Sequence, residues 1–509
     1  MKKLILTGIF FLTILLFGCS TSGMYNNDSE FYSPYYPINT SQTEEYQEIY
    51  ENDFINTADM PVSTFSADVD TAAYSIIRRK LMENALPNKN AVRIEEMLNY
   101  FSYHLDGPTE NEIIHITQEL GVAPWNEDHQ LLMIGLKTQE IDFSESVANN
   151  IVFLLDTSGS MSSDDKLPLL KSAIRLLINQ LRPVDRISIV VYAGSAGVIL
   201  NGSDGTEKEE ILDAIDALYA GGSTAGGAGI ELAYKVAREN FIEGGNNRVI
   251  LCTDGDFNVG ISTQTGLESL ITKKRESGIF LSVLGFGENN IKDNKMETLA
   301  DKGNGVYYYI DSLLEAKKVF VEELGGSLVT VAKDVKLQIE FNPLHVKGYR
   351  LIGYENRLLE YEDFDNDEKD AGDMGAGHEV IALYEIIPAD STEEIASLTM
   401  EKPETLKYDG ENYPEEICTL SIRYKLPDSD TSTKTEKVLL VSDFSDTPSE
   451  DFMFAASVAE FGFLLRNSIY KYNASYSNII ARVNALTQID DYKEEFILLV
   501  EKAAQLSDK

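Results

Sequence analysis

The chain has 509 residues, 43% of them hydrophobic, which is ordinary for a globular protein of about two to four domains. It carries 83 acidic and 43 basic residues, for a net charge of −40. This charge argues against binding to nucleic acid, whose phosphates need a basic face, and against spontaneous adsorption to anionic lipid. Three cysteines, Cys19, Cys252 and Cys418, do not make a disulfide framework.

Residues 1–18 have the pattern of a secretory signal peptide. Lys2 and Lys3 precede an apolar run that is too short to span a membrane comfortably. The run ends in Leu-Phe-Gly-Cys at residues 16–19, which resembles the lipobox of bacterial lipoproteins. The resemblance implies that Cys19 is diacylated and anchors the chain on the extracytoplasmic side of a membrane of a bacterial cell envelope. The alternative is a signal peptide with an incidental cysteine.

Three further segments precede the central domain. Residues 19–57 are rich in Ser, Asn, Tyr, Pro and acidic residues, which predicts a disordered tether. Residues 58–106 show two helical patterns, with Asp70 and Asn90 as the predicted N-caps of a helical hairpin. Residues 107–145 predict two strands around the sequence Pro-Trp-Asn at 124–126.

The central segment, residues 146–333, predicts a doubly wound, mostly parallel α/β sheet. Its first strand is an uninterrupted apolar run, residues 151–155, as expected for a strand buried on both faces. Strands then alternate with helical patterns, which is typical of βαβ units. The later strands are predicted at residues 186–192, 248–253, 280–285 and 306–310, and the helices at residues 166–181, 207–218, 228–241, 264–277, 292–301 and 314–331.

Polar residues follow two of these strands at the edge where ligands bind in parallel sheets. Asp156 ends the first strand and is followed by Ser158 and Ser160, and Asp254 ends the strand at 248–253. Between them, Thr224 lies in a glycine-rich loop and opens a helix. Carboxylate and hydroxyl oxygens suit Mg²⁺, Mn²⁺ or Ca²⁺ and suit zinc poorly. For the Asp-Ser-Ser turn alone, helix capping is the alternative interpretation.

The pattern of Asp-x-Ser-x-Ser, a later Thr and then Thr-Asp-Gly resembles the von Willebrand factor type A domain with its metal-ion-dependent adhesion site. The sequences at 222–229 and 253–260 further resemble the YfbK-like bacterial lipoproteins. The resemblance implies that Asp156, Ser158, Ser160, Thr224 and Asp254 hold one metal ion. It also implies a protein partner whose Asp or Glu carboxylate completes the coordination.

After the central domain the apolar period changes to two. Residues 334–448 predict an antiparallel β module with strands at 335–341, 380–387, 419–425 and 436–441, and residues 449–509 predict a helical C-terminal segment. The strands on either side of the α/β domain are too few for two separate sandwiches. We therefore expect the domain to be an insertion, with strands near Ile114 or Leu132 pairing with strands after Val335.

Other functions have weaker support in the sequence. A metal beside Asp156 would suit phosphoryl transfer with Asp156 as nucleophile, but a second acid two residues later is missing, so we predict no enzyme. A structural envelope protein with a vestigial metal site is a third interpretation. The glycine-rich loop lacks the lysine of a nucleotide-binding loop. The acidic loop at 360–373 departs from the EF-hand pattern, with Glu368 in place of the required glycine.

Overall fold

The computed structural model describes residues 44–67, 70–110, 112–140, 147–222, 226–255, 264–287, 292–323, 329–397, 402–409, 413–427 and 429–507. These residues belong to one compact unit, Gln42–Lys509. None of the helices in this part of the chain is long and apolar enough to cross a membrane.

The central domain is built on a six-stranded sheet with helices on both faces. Its strands are β5 (Asn149–Asp156), β6 (Arg186–Tyr192), β7 (Ala196–Asp204), β8 (Asn246–Thr253), β9 (Phe280–Phe286) and β10 (Tyr307–Ile310). The strand order is β10-β9-β8-β5-β6-β7, parallel except for the edge strand β7. The apolar run of β5 is buried along its length because each face of the sheet supports a separate core. The predicted doubly wound, mostly parallel sheet is confirmed.

The helices of this domain follow its strands. They are α3 (Leu167–Gln180), α4 (Lys208–Asp216), α5 (Gly226–Glu239), α6 (Gln264–Arg275), α7 (Asp293–Lys302) and α8 (Leu313–Lys317). The helix predicted over 314–331 is wrong in its extent. After α8 the chain makes a π-helical turn, Lys318–Glu323, and a strand already begins at Thr330.

A two-sheet β sandwich is formed by the segments of the chain before and after this domain. One sheet has the order β1-β12-β14-β4-β3, and the other has β13-β11-β15-β16 with β2 added to β11. Apolar residues from the facing sides of the two sheets form one core. The strands are β1 (Ile55–Asn56), β2 (Val62–Ser66), β3 (Ile114–Ala123), β4 (Asn126–Thr138), β11 (Thr330–Phe341), β12 (Val346–Ile352), β13 (Gly372–Gly375), β14 (Glu379–Pro388), β15 (Glu416–Lys425) and β16 (Ser432–Leu440).

Strand pairing shows that the α/β domain is inserted into this sandwich. β4, which precedes the domain, pairs antiparallel with β14, which follows it, and Leu132 lies opposite Tyr384. β2, from still earlier in the chain, pairs with β11. The expected insertion is therefore confirmed, and the sandwich is completed only by segments from both sides of the domain.

The remaining helices cover the outer face of the first sheet. They are α1 (Ala72–Met82), α2 (Ile94–Asn99), α9 (Glu450–Arg466), α10 (Tyr476–Asn484) and α11 (Asp491–Ser507). Residues from α1, α2 and the C-terminal helices form one core with β4 and β14. β4 thus has apolar side chains on both faces, which is why its run at 131–136 does not alternate.

Two predictions before the central domain need correction. The predicted tether reached residue 57, but the chain is folded from Glu44, whose buried carboxylate pairs with Arg79 and Lys80; residues 19–43 lie outside the described residues. Asp70 does not cap α1, because its carboxylate accepts a hydrogen bond from the Tyr307 amide.

The second predicted cap was also wrong. Asn90 does not begin the second helix. Instead, Asn88 caps a short 3-10 turn by accepting a hydrogen bond from the Asn90 amide, and α2 begins only at Ile94. The N-cap position of α2 is Arg93, whose side chain makes no capping hydrogen bond.

Candidate metal centre

The two predicted acidic ligands lie at the ends of adjacent parallel strands. Asp156 is the last residue of β5, and Asp254 follows the last residue of β8. β6 pairs with the opposite side of β5, so the winding of the sheet reverses at Asp156. Ligands of open α/β sheets bind at this kind of switch point.

The loop after Asp156 is held by backbone hydrogen bonds from two neighbouring segments. The Thr157 amide donates to the Tyr192 carbonyl at the end of β6, at 3.0 Å. The Gly159 amide donates to the Gly222 carbonyl at 3.1 Å, and the Gly221 amide donates to the Thr157 carbonyl at 2.8 Å. The glycine-rich loop is thereby attached to the loop that carries Ser158.

Asp156, Ser158 and Ser160 form one connected group. The Ser158 amide donates to Asp156 Oδ1 at 2.8 Å, and the hydroxyls of Ser158 and Ser160 are 2.9 Å apart. Asp156 and Ser158 are buried, whereas Ser160 is exposed. The group therefore leads from a buried carboxylate to solvent through two hydroxyls.

Asp254 is buried beside a lysine that the sequence had indicated only as the start of a helix. Lys166 Nζ donates to Asp254 Oδ2 at 2.9 Å. The lysine side chain passes directly over Gly287, where an added Cβ would lie 2.1 Å from its Cε. Gly287 also has a φ of +77°, which favours glycine. Both the close approach of the lysine and the backbone conformation therefore require a glycine at this position.

The donor set fits a hard divalent cation. Asp156 Oδ2 and Asp254 Oδ1 are both buried and lack a donor at normal hydrogen-bond geometry among the described residues, although the Tyr192 hydroxyl lies near the Asp156 carboxylate. Burial raises the pKa of Asp156 and the Asp254 carboxylate adds to this effect, whereas hydrogen bonds from Ser158 and Tyr192 oppose it. Two carboxylates held close together without enough counter-charge are stabilised by a cation. The Lys166 ammonium supplies one positive charge, and a metal ion would supply the rest.

The described residues contain no group of three or more His, Cys, Asp or Glu side chains that could hold a metal ion. A metal ion at the candidate site would therefore need hydroxyl oxygens as ligands in addition to the two acids. Of the predicted ligands, the structure brings Asp156, Ser158 and Ser160 together at one sheet edge with Asp254. Thr224 and the predicted lipid attachment site Cys19 lie outside the described residues.

A large exposed aromatic residue lies beside the site and was not predicted. Tyr219 is 81% exposed, and its ring lies 3.8 Å from the place that a Cβ on Gly221 would occupy. Gly221 is the residue that bonds to Thr157. Only its position two residues before the glycine-rich loop could have indicated Tyr219 in the sequence.

Comparison with known families agrees with this architecture. Residues 150–322 match the von Willebrand factor type A domain, residues 40–133 match a model described as von Willebrand factor, and residues 326–506 match the C-terminal region of the uncharacterized protein YfbK. A von Willebrand factor type A domain suggests a function in protein interaction or adhesion.

Two solved structures align with most of this chain. The von Willebrand factor type A protein from Catenulispora acidiphila has a TM-score of 0.42 and 16% identity, covering 77% of this chain and 91% of that one. The ArnB paralog VWA2 from Sulfolobus acidocaldarius has a TM-score of 0.36 and 14% identity, covering 78% of this chain and 97% of that one.

Two relatives differ in how much of the chain they share. Inter-alpha-trypsin inhibitor heavy chain H3 of Mesocricetus auratus is 29% identical over 198 residues, covering 36% of this chain and 22% of that protein. The uncharacterized protein YfbK of Escherichia coli (strain K12) is 43% identical over 475 residues, covering 92% of this chain and 82% of that protein. The chain therefore belongs to the YfbK family of proteins with a von Willebrand factor type A domain.

Proposed function

We propose that the chain binds a protein partner through one Mg²⁺ ion, or Mn²⁺ or Ca²⁺ in its place. The ion would be held by Asp156, Ser158, Ser160, Thr224 and Asp254. The observation that supports this most directly is the pair of buried carboxylate oxygens, Asp156 Oδ2 and Asp254 Oδ1, that lack a donor at normal hydrogen-bond geometry within the described residues. When bound, the ion supplies an electrophilic point to which a carboxylate of the partner, from Asp or Glu, can coordinate.

The charge distribution of the chain favours binding of an acidic ligand at the candidate metal centre. With a net charge of −40, most of the surface repels an acidic partner. At the candidate site, the Lys166 ammonium already neutralises one of the two acids. A divalent ion held there would retain net positive charge, which the partner's carboxylate would neutralise.

The surroundings of the site suit protein contact. Ser160 and Tyr219 are exposed on the loops that form the site, so a partner that reaches the ion also meets an aromatic side chain. Tyrosine is enriched among the residues that contribute most to protein interfaces. Proteins with this domain are generally non-enzymatic, and we propose binding rather than catalysis.

The proposed location is the bacterial cell envelope, with the chain anchored through diacylated Cys19. The support is the apolar run of residues 4–17 that ends in Leu-Phe-Gly-Cys. Replacing Cys19 with serine should release the protein from membranes. Globomycin, which inhibits the lipoprotein signal peptidase, should leave a larger precursor, and an unchanged size would contradict the anchor.

Crosslinking in intact cells tests the proposed binding. Wild type should form a discrete crosslinked product that disappears with EDTA and returns when Mg²⁺ is restored. Asp156→Ala should give no such product, whereas the matched control Asp216→Ala, which changes an exposed acid on α4, should crosslink as wild type does. A product that forms equally with Asp156→Ala or in EDTA would refute the metal-dependent interaction.

A further inference from the structure

A cavity of about 480 Å³ lies between the α/β domain and the β sandwich, away from the candidate metal centre. The domain contributes Arg248, at the start of β8, and Asn304. The sandwich contributes residues 356–359 and 369–373. The volume falls within the range of small-molecule sites, and such sites occur often where two domains meet.

Most charged groups around this cavity are paired. Arg357 pairs with Asp70 at 3.1 Å and with Asp301 at 3.0 Å. Arg275 pairs with Asp370 at 2.7 Å. These pairs account for the cavity's acidic residues other than Asp373.

Arg248 differs from the other cations of the cavity, which are paired or, in the case of Lys302, exposed to solvent. Its side chain is 2% exposed, and its only hydrogen bond within the described residues runs from Nη1 to Ser282 Oγ, at 2.8 Å. Its Nε is buried and has no hydrogen-bond partner there. The guanidinium lies over the ring of Phe280, 5.7 Å from its centroid, and burial lowers the pKa of Arg248 to about 10. A buried cation without a carboxylate partner is costly.

Asp373 is the matching acid on the sandwich side. Its Oδ1 accepts from the Asp334 amide at 3.1 Å, and its Oδ2 accepts from Asn304 Nδ2 at 3.2 Å. Both donors are neutral, and burial raises the pKa of Asp373 to about 7. Arg248 and Asp373 attract one another through space, but they form no ion pair. The cavity thus presents the buried Arg248 guanidinium from the α/β domain and the Asp373 carboxyl group from the sandwich, and neither forms an ion pair among the described residues.

We propose that this cavity binds a small zwitterion of the amino-acid or short-peptide class. The ligand's carboxylate pairs with the Arg248 guanidinium, and its ammonium group pairs with the Asp373 carboxylate. A simple anion would leave Asp373 without a counter-charge, and a simple cation would leave Arg248 without one. Because the two walls belong to different domains, the ligand joins the inserted α/β domain to the sandwich that carries it.

Thermal unfolding of the full chain tests the proposal, because a ligand that binds only the folded state raises the unfolding midpoint. The probes are glycine and glycylglycine, together with N-acetylglycine, which lacks the ammonium, and glycinamide, which lacks the carboxylate. At equal ionic strength, at least one zwitterion should raise the midpoint with the logarithmic dependence on concentration that a single site gives. Neither blocked compound should do so.

Two variants locate the effect. Arg248→Met and Asp373→Asn should each abolish the response to the zwitterion, while Arg175→Met, an exposed arginine outside the cavity, should retain it. Replacing a buried unpaired cation with an apolar side chain of similar length is often neutral or stabilising, so Arg248→Met should fold. If no zwitterion acts on wild type, if the blocked compounds act equally, or if Arg248→Met responds as wild type does, the proposal is wrong.

Discussion

Lys166 Nζ lies 2.9 Å from Asp254 Oδ2, so the candidate metal centre contains a cation of its own. The lysine is buried, and its path over Gly287 leaves no space for another residue's side chain there. A divalent ion must therefore bind against the field of a neighbouring ammonium, which favours moderate rather than tight affinity for the metal.

Removing the Lys166 charge should strengthen metal binding. We expect Lys166→Met to bind Mg²⁺ roughly tenfold more tightly than wild type, equivalent to about 1.4 kcal/mol. Lys166→Arg keeps the charge and should not show the gain. Calorimetric titration measures the affinity, with Lys235→Met, an exposed lysine on α5, as the control. An affinity for Lys166→Met equal to or weaker than that of wild type would show that the lysine does not oppose the ion.

Tyr219 should contribute to partner binding without contributing to the fold. The side chain is 81% exposed, so Tyr219→Ala should change the free energy of unfolding by less than about 0.5 kcal/mol and leave Mg²⁺ affinity unchanged. The yield of the EDTA-sensitive crosslinked product should fall. An unchanged yield would place the partner's contact surface elsewhere on the domain.

Arg93 should be essential to the attachment of the N-terminal helices to the inserted domain. Its guanidinium pairs with the fully buried carboxylate of Asp293 at the start of α7 and with Glu96. Arg93→Met leaves these acids without their cation, and we expect a loss of about 3–5 kcal/mol in the free energy of unfolding.

Denaturant unfolding measures this loss. The double variant Arg93→Met/Asp293→Asn should recover part of it, because it removes one of the stranded charges. Breaking the exposed pair of Arg175 and Asp216 with Arg175→Met should cost less than about 1 kcal/mol. Equal losses for the Arg93 and Arg175 single variants would contradict the assigned role of Arg93.

His129 should make stability depend on pH near neutrality. Burial opposes its charge, but hydrogen bonds to Glu385 and Glu393, at 2.7 and 2.8 Å, raise the pKa of His129 above its ordinary value. A raised histidine pKa stabilises the fold fully below about pH 6.5, and this contribution is lost as pH rises through the folded-state pKa. Arg350 is the other charged group against Glu385, at 2.6 Å.

The comparison with His129→Gln isolates this contribution. The variant should lack it, so the difference in unfolding free energy between wild type and variant should shrink as pH rises from about 6 to 8. The two proteins must be compared because Glu297 and Asp373, with pKa values raised to about 7, titrate in the same pH range. Their contributions are present in both proteins and cancel in the difference between the two unfolding free energies. A difference that does not change with pH would contradict the assignment to His129.

The metal-site motif could be predicted because its signal is local. Asp156 and Asp254 each follow an uninterrupted apolar strand, and the parallel connection brings these strand ends to one edge. The contact of Lys166 with Asp254 could not be predicted, because it depends on where Gly287 lies in the folded chain. The same holds for Arg248 and Asp373, which face one cavity only when the two domains pack.

The missed strands have physical reasons of their own. β12 does not alternate cleanly, because Arg350 occupies a buried position and is neutralised by Glu385 from β14. β7 is an edge strand on which Val198 and Ile199 are both partly exposed, so its apolar residues do not follow one face. The sequences of β12 and β7 therefore do not indicate strands unless the neighbouring strands in the sheet are known.

Binding of Mg²⁺ and Mn²⁺ to the full chain, measured by titration calorimetry, tests the central claim most directly. Wild type should bind one equivalent of either ion with moderate affinity, Asp156→Ala should bind none, and Ser158→Ala should bind more weakly while unfolding at the same denaturant concentration as wild type. If neither ion binds wild type up to millimolar concentration, or if Asp156→Ala binds as wild type does, these residues do not form a metal-binding site.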